Sequence, residues 1–276
     1  MKSLARALGA LTILATCTAG AGQAAAADYP NRPIRLIVHF PAGTSTDVIA
    51  RSFADSISPK LGQQIIIDNK AGAEGSIAAS ELKRSAPDGY TILLATNSAM
   101  SGVPTTRKTP PYDVTTDFTP ITDIGRYNFF VYVNKDIPVK TLSELIAYAK
   151  ANPGKIAYGA PHITGRLASA TLVAANNLDV TPVPYKGEPT AITDLITGRI
   201  QMMISTSGGG MPQVKAGKLV ALATILDKRS PIAPDVPTMA EAGFPDFKIQ
   251  PWAALFGPAN MPRCAILPMS TRSSAV

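Results

Sequence analysis

The sequence predicts an α/β fold consisting of two doubly wound α/β domains with a ligand cleft between them. Three observations support this prediction. Short apolar runs alternate with segments whose apolar residues recur at helical spacing, this alternation occurs twice along the chain, and a stretch rich in Pro and Thr (residues 105–120) separates the two series. Alternating strands and helices favour parallel sheets with right-handed crossovers. The separating stretch itself is interpreted as an irregular connection.

The first series begins with the apolar run "IRLIVHF" at residues 34–40, which is typical of a strand buried on both faces. A glycine turn follows, and then a helix in which Ile49, Phe53 and Ile57 share one face and Gly62 provides a stop signal. The remaining predicted elements of this series are a strand at 63–69, a helix at 76–86 and a strand at 90–98. The order strand, helix, strand, helix, strand predicts the first α/β unit.

The second series opens with a capping box, in which Thr141 and Glu144 precede a helix that Pro153 and Gly154 end. The predicted elements that follow are a strand at 155–160, a loop at 161–165, a helix at 166–177, a strand at 181–185, a helix at 189–198, a strand at 199–205, a Gly-rich loop at 206–210 and a strand at 218–225. This series predicts the second α/β unit.

The N-terminus has the pattern of a secretory signal peptide. Lys2 and Arg6 precede a short apolar run, and the small residues that follow suit cleavage after Ala27. We therefore expect residues 1–27 to be removed. Cys264 is the only cysteine after that point, so no internal disulfide is expected.

Composition and motifs argue against nucleic-acid binding and against catalysis. The net charge is +7, but the basic residues are scattered along the chain with no basic tract interleaved with aromatic residues. The sequence has no metal-binding His or Cys spacing, no nucleophile elbow, no P-loop and no dinucleotide fingerprint. His39 is predicted to be a core residue, whereas His162 has two open roles, as a ligand contact or as a solvated loop histidine. We expect no cofactor, no metal and no enzymatic activity.

Four predicted turns lie where the carboxyl ends of strands would meet, which is where open α/β sheets bind ligands. They are rich in Gly, Ser, Thr and Asn and poor in charge, and each could equally be a plain turn or cap. These turns are Phe40–Asp47, Thr96–Ser98, Gly159–Gly165 and Ser205–Gly209. Backbone N–H groups at such strand–helix junctions favour a carboxylate or phosphate.

Several motifs in a fixed order resemble the solute-binding receptors of tripartite tricarboxylate transporters, the TctC-type or Bug family. They include "YPNRPIRLIVHFPAGTSTDVIAR", "APDGYTILLATNS", "VPYKGEPTAITDLITGRIQMM" and "RSPIAPDVPTMAEAGFPDF", and together they extend from Tyr29 to about Pro262. The resemblance implies a periplasmic two-domain binding protein of the Venus flytrap type, expected as a monomer, that closes on a small carboxylate for membrane permease subunits. Typical ligands of the family are di- or tricarboxylates, amino-acid carboxylates or aromatic acids. The alternatives are a receptor that presents the ligand to a membrane sensor and an enzyme that acts on a carboxylate.

The resemblance also implies which residues bind the ligand. Asp47 is expected to be a helix cap or structural acceptor, with pairing to a ligand amine as its alternative. Gly43 is expected to matter because a side chain would occupy the anion's space or require an unfavourable φ. The implied ligand-binding set is Pro41, Ala42, Gly43, Thr44, Asp47, Asn97, Ser98, Tyr158, Gly159, Ala160, His162, Thr164 and Ser205. Lys186 is an open candidate, and a solvated lysine is the safer interpretation. Trp252 also has two open roles, as part of the cleft wall or as a core residue on the hinge side.

The expected domains follow from the same resemblance. The first comprises residues 28–128 plus 248–262, and the second comprises residues 129–247. Residues 263–276 do not match the family, and we expect a truncation or an atypical tail that leaves an apolar patch exposed on the first domain.

Overall fold

The computed structural model describes residues 29–262 and 265–266. The expected signal peptide and nearly all of residues 263–276, the tail that is expected to be atypical, lie outside the described residues. Within this part of the chain, no helix combines the length and hydropathy that a membrane span requires.

Ten strands form two five-stranded sheets of similar topology. The first sheet has the order β2-β1-β3-β10-β4 and the second the order β7-β6-β8-β5-β9. The strands of the first sheet are β1 Ile34–Val38, β2 Ile65–Asn69, β3 Thr91–Thr96, β4 Phe118–Arg126 and β10 Trp252–Pro258. Those of the second sheet are β5 Phe129–Asn134, β6 Ile156–Ala160, β7 Val180–Pro184, β8 Met202–Thr206 and β9 Leu219–Thr224. The predicted α/β class with two α/β units is confirmed.

Both sheets are mixed rather than wholly parallel. Strands β1, β2 and β3 run parallel, and β10 lies antiparallel between β3 and β4. In the second sheet β6, β7 and β8 run parallel, and β5 lies antiparallel between β8 and β9. The chain therefore crosses from one half to the other between β4 and β5 and returns through β10.

The helices cover the faces of the sheets. They are α1 Ser45–Leu61, α2 Ser76–Lys83, α3 Val103–Thr106, α4 Leu142–Ala151, α5 Ile163–Ala175, α6 Glu188–Ile196 and α7 Ser207–Lys215. A short 3₁₀ turn spans Ala73–Gly75 and a π-helical turn spans Ser98–Gly102. The predicted stop of α1 is confirmed, because Gly62 adopts the left-handed conformation with φ 70°. The capping box at Thr141 and Glu144 is also confirmed, with both of its hydrogen bonds present.

Three parts of the sequence interpretation were wrong. The predicted loop at 161–165 ends at His162, because α5 begins at Ile163. The stretch 105–120 is not all irregular, because β4 begins at Phe118. The predicted Gly-rich loop at 206–210 is instead the end of β8 and the first turn of α7. Packing explains why this helix contains glycine at position 210, since a Cβ at Gly210 would lie 2.2 Å from Cζ of the fully buried Tyr132.

A surface groove lies between α1 and the β4–β10 edge of the first sheet. It has a volume of about 350 Å³, and its lining includes Val48, which is 56% exposed, with Phe53 and Ile124. The expectation that the tail leaves an apolar patch exposed stays a prediction, because nearly all of the tail lies outside the described residues.

Candidate functional site

A cavity of about 480 Å³ lies between the two sheets, at the carboxyl ends of their parallel strands. From the first half its walls come from the β1–α1 turn, the β2–α2 loop and the end of β3; from the second half they come from the starts of α5 and α6 and the end of β8. The residues that line it are His39, Phe40, Pro41, Thr44, Ser45, Thr46, Ala71, Gly72, Ala73, Glu74, Gly75, Thr96, Asn97, Ser98, Tyr127, Phe129, Pro161, His162, Thr164, Tyr185, Lys186, Gly187, Glu188 and Thr206. The cavity is the candidate functional site.

Six of the predicted ligand-binding residues line this cavity, namely Pro41, Thr44, Asn97, Ser98, His162 and Thr164. Seven do not line it, namely Ala42, Gly43, Asp47, Tyr158, Gly159, Ala160 and Ser205. Tyr158 packs in the hydrophobic core. The structure therefore brings together predicted residues from three segments of the chain, the β1–α1 turn, the end of β3 and the start of α5.

Asp47 makes its hydrogen bonds within and beside the β1–α1 turn. Its carboxylate accepts hydrogen bonds from the Gly43 N–H at 2.9 Å and from Asn69 Nδ2 at 2.9 Å, and it pairs with Arg51 at 2.9 Å. Burial pushes the pKa of Asp47 upward, but these hydrogen bonds hold it below its ordinary value. This matches the predicted role of a structural acceptor.

Gly43 has the left-handed conformation expected of it. Its φ of +80° strains other side chains, and a Cβ there would meet no protein atom within 4 Å. The expected clash between such a side chain and a bound anion stays a prediction. The N–H of Gly43 is already taken by Asp47. Ser45 and Thr46, in the first turn of α1, line the cavity instead, and the first N–H groups of a helix have no hydrogen-bond partner within it.

Direct hydrogen bonds join the two halves across the cavity. Ser45 Oγ lies 2.7 Å from Thr206 Oγ1, and Asn97 Nδ2 donates to Thr164 Oγ1 at 2.8 Å. At the crossing between the sheets, the Tyr127 hydroxyl donates to Thr46 Oγ1 at 2.9 Å. The structure therefore shows the cleft in a closed arrangement.

Apolar packing also joins the halves. Ile163, the first residue of α5, is 5% exposed and belongs to a hydrophobic cluster that otherwise comes from the first half. Its Cγ2 would lie 2.6 Å from a Cβ placed on Gly102. The closed arrangement thus depends on the absence of a side chain at Gly102.

His162 is a helix cap rather than a solvated loop residue. It is 7% exposed, and its Nδ1 accepts the Gly165 N–H at 2.9 Å at the start of α5. Burial lowers the pKa of His162 to about 4, so the ring is neutral at neutral pH. Because Nδ1 is an acceptor, the ring proton lies on Nε2, which is 3.5 Å from Ser205 Oγ.

His39 is buried as predicted, directly after β1. Its Nε2 accepts the Thr96 N–H at 3.2 Å, which places the proton of the neutral ring on Nδ1. Burial lowers the pKa of His39 to about 3, and the nearby His162 lowers it further. His39 therefore forms an uncharged part of the cavity wall.

Glu188 and Glu74 are acids of the cavity wall that sequence reasoning missed, and Glu188 is the more deeply buried of the two. It is the first residue of α6 and is 8% exposed, and it accepts hydrogen bonds from Ser205 Oγ at 2.5 Å and from Thr206 N at 3.0 Å. Burial raises the pKa of Glu188, and the hydrogen bonds from Ser205 and Thr206 only partly offset this. The absence of a side chain at Gly209 lets the α7 backbone approach this carboxylate, a proximity that the sequence does not show because Glu188 precedes "TSGGG" by a whole helix and strand.

The group of His162, Ser205 and Glu188 does not have the geometry of a nucleophilic triad. Ser205 donates its hydroxyl proton to Glu188, and the histidine supplies a proton rather than an acceptor. Ser205 is also fully buried. A catalytic serine needs the reverse direction of hydrogen bonding and access to substrate.

Within residues 29–262 and 265–266, no three His, Cys, Asp or Glu side chains are grouped so that they could hold a metal ion.

Comparisons with known proteins relate this chain to one family. The model of the family described as "TctC: Tripartite tricarboxylate transporter family receptor" matches residues 49–272. Protein BugT of Bordetella pertussis is 37% identical over 249 residues, which covers 87% of this chain and 75% of BugT.

Two similar solved structures contain bound acids. R. palustris Rpa4515 with adipate has a TM-score of 0.84 and 33% identity, covering 90% of this chain and 83% of that one. MatC from Rhodopseudomonas palustris with bound malate has a TM-score of 0.81 and 28% identity, covering 89% of this chain and 84% of that one.

Proposed function

The chain belongs to the tripartite tricarboxylate transporter receptor family, as the sequence motifs suggested, and from this premise we propose that it is a periplasmic receptor that binds a small carboxylate between its two α/β halves. The two domains are proposed to be residues 28–128 plus 248–262 and residues 129–247. Delivery of the ligand to membrane permease subunits, secretion through a cleaved signal peptide and a monomeric state are parts of the same proposal. We propose no catalytic activity.

The observation that carries the proposal is the cavity itself. It lies at the carboxyl ends of the parallel strands in both halves, and the first turn of α1 borders it. The exposed N–H groups and the dipole at a helix start favour an anion. We propose that one carboxylate of the ligand accepts hydrogen bonds from the N–H groups of Ser45 and Thr46, with Asn97, Ser98 and Thr164 supplying further polar contacts.

A thermal-shift screen of mono-, di- and tricarboxylates tests this function. A ligand present at roughly 100 times its Kd stabilises the protein by about 2.7 kcal/mol. For a chain of this size, that corresponds to a rise in Tm of about 5–11 °C.

Two variants at Ser45 locate the anion. Ser45→Asp places a competing charge in the first turn of α1 and should abolish the shift, while the acid interacts favourably with the helix dipole of the free protein. Ser45→Asn has nearly the same shape without the charge and should keep most of the shift. Equal shifts in both variants would place the anion elsewhere, and a wild-type protein that responds to no acid would contradict the function.

A further inference from the structure

Glu188 is a buried acid without a cationic partner. Its Oε1 accepts hydrogen bonds from Ser205 and Thr206, and its Oε2 lies 2.9 Å from Thr206 Oγ1. In the part of the chain that the structure describes, no Lys, Arg or His nitrogen lies within 4.0 Å of this carboxylate. Thr206 is the N-cap of α7, so the start of that helix gives this carboxylate a partial positive charge but no full counter-charge. A cation beside a buried carboxylate of this kind would supply it.

The other charged residues that line the cavity do not supply a counter-charge for Glu188. Glu74 is a second acid in the wall, and its Oε2 accepts the Ile163 N–H from the opposite half at 3.2 Å. Lys186 is the only Lys or Arg among the lining residues and is exposed, and both histidines there are neutral at neutral pH. The lining therefore has two acids against one base, which disfavours a ligand that carries only negative charge.

Thr206 places the carboxylate of Glu188 close to the first turn of α1. Thr206 Oγ1 lies 2.7 Å from Ser45 Oγ on the first half and 2.9 Å from Glu188 on the second. The first turn of α1 and the carboxylate of Glu188 are thus joined through a single hydroxyl group. A small molecule with a carboxylate and a cationic group one carbon apart is short enough to contact both.

We propose that the ligand carries an ammonium group beside its carboxylate, and that Glu188 is the residue that selects this group. This inference rests on the proposed function, because it assumes that the ligand's carboxylate is bound at the start of α1. The ammonium group donates charge-assisted hydrogen bonds to Glu188 and provides its missing counter-ion. The chemical class is therefore a zwitterionic amino acid rather than a simple di- or tricarboxylate.

Matched pairs of acids test the inference by calorimetric titration at neutral pH. Each pair shares a carbon skeleton and differs only in the amino group: succinate and aspartate, glutarate and glutamate, 4-methylpentanoate and leucine. For the pair that binds best, we expect the amino member to bind at least about tenfold more tightly to the wild-type protein. In Glu188→Gln, which keeps the shape and the hydrogen bonds from Ser205 and Thr206, this ratio should fall to near one.

Two further variants separate a direct contact from a general effect of charge. Glu74→Gln removes the same charge from the opposite wall and should keep the preference. Glu188→Asp keeps the charge at the contact and should also keep the preference, with weaker overall binding. A lost preference in Glu74→Gln, or a retained one in Glu188→Gln, would overturn the assignment to Glu188.

The wild-type titration alone decides the ligand class, even if a variant folds poorly. Tighter binding of the acids that lack an amino group would overturn this inference and leave the proposed function standing. Binding of neither member of any pair, together with no response to the wider acid panel, would overturn both.

Discussion

Gly102 offers a way to separate closure of the cleft from stability of the fold. The residue has ordinary helical backbone angles, φ −64° and ψ −51°, so alanine causes no backbone strain there. In the closed arrangement, however, the added methyl group would lie 2.6 Å from Ile163 Cγ2 and 3.3 Å from its Cβ. These atoms cannot swing away easily, because a β-branched side chain in a helix has one strongly preferred rotamer.

The Gly102→Ala variant should therefore weaken ligand binding without destabilising the free protein. Overpacking of this kind costs about 1–3 kcal/mol, and it is present only in the closed form. The Kd of the ligand should rise roughly 5- to 150-fold. The free, open protein should gain about 0.5–1 kcal/mol from the substitution of glycine in a helical position, which raises its Tm by about 1–4 °C.

Titration calorimetry and thermal melts measure these two effects, and a double-mutant cycle checks their cause. In an Ile163→Ala background the clashing atoms are gone, so Gly102→Ala should have little effect on Kd. An unchanged Kd in the single variant would show that this packing is not part of the bound state. A fall in Tm of the free protein would show that the two residues touch in the open form as well.

The other two predictions concern stability. The His162→Asn variant keeps a good helix cap. Folding lowers the pKa of His162 from 6.5 to about 4. The stability of the wild type should therefore decline relative to that of this variant as the pH drops from about 6.5 to about 4. The relative loss is on the order of 3 kcal/mol in urea unfolding, and parallel pH profiles would argue against a buried neutral ring. Gly210→Ala should destabilise the fold by at least about 1–3 kcal/mol, because its methyl would lie 2.2 Å from the ring of Tyr132, and a melt within a degree of wild type would contradict this packing.

Features set by neighbouring residues were predictable from the sequence. The capping box of Thr141 and Glu144 and the stop at Gly62 depend on the chain within a few positions, and both are present. The apolar run before the first turn predicted β1, although the strand ends at Val38 rather than Phe40.

Features that depend on packing between distant segments were not predictable. The "TSGGG" stretch has the composition of a loop, but most of it lies in α7, where Gly210 fits beneath Tyr132, a residue of β5. Gly43 has the chemistry of an anion-binding glycine, yet its N–H is used by Asp47 four positions later. For the same reason the sequence did not reveal Glu188 as a wall of the cavity, since α6 turns this side chain toward Ser205 and Thr206 on β8.

The central claim is that a carboxylate occupies the cavity between the two halves, at the start of α1. The most direct test is a crystal structure of residues 28–276 grown with the acid that gives the largest thermal shift. We expect carboxylate oxygens within hydrogen-bond distance of the Ser45 and Thr46 N–H groups, with the cross-cleft contact between Asn97 and Thr164 retained. Density for the acid outside this cavity, or in it but away from the first turn of α1, would refute this binding mode.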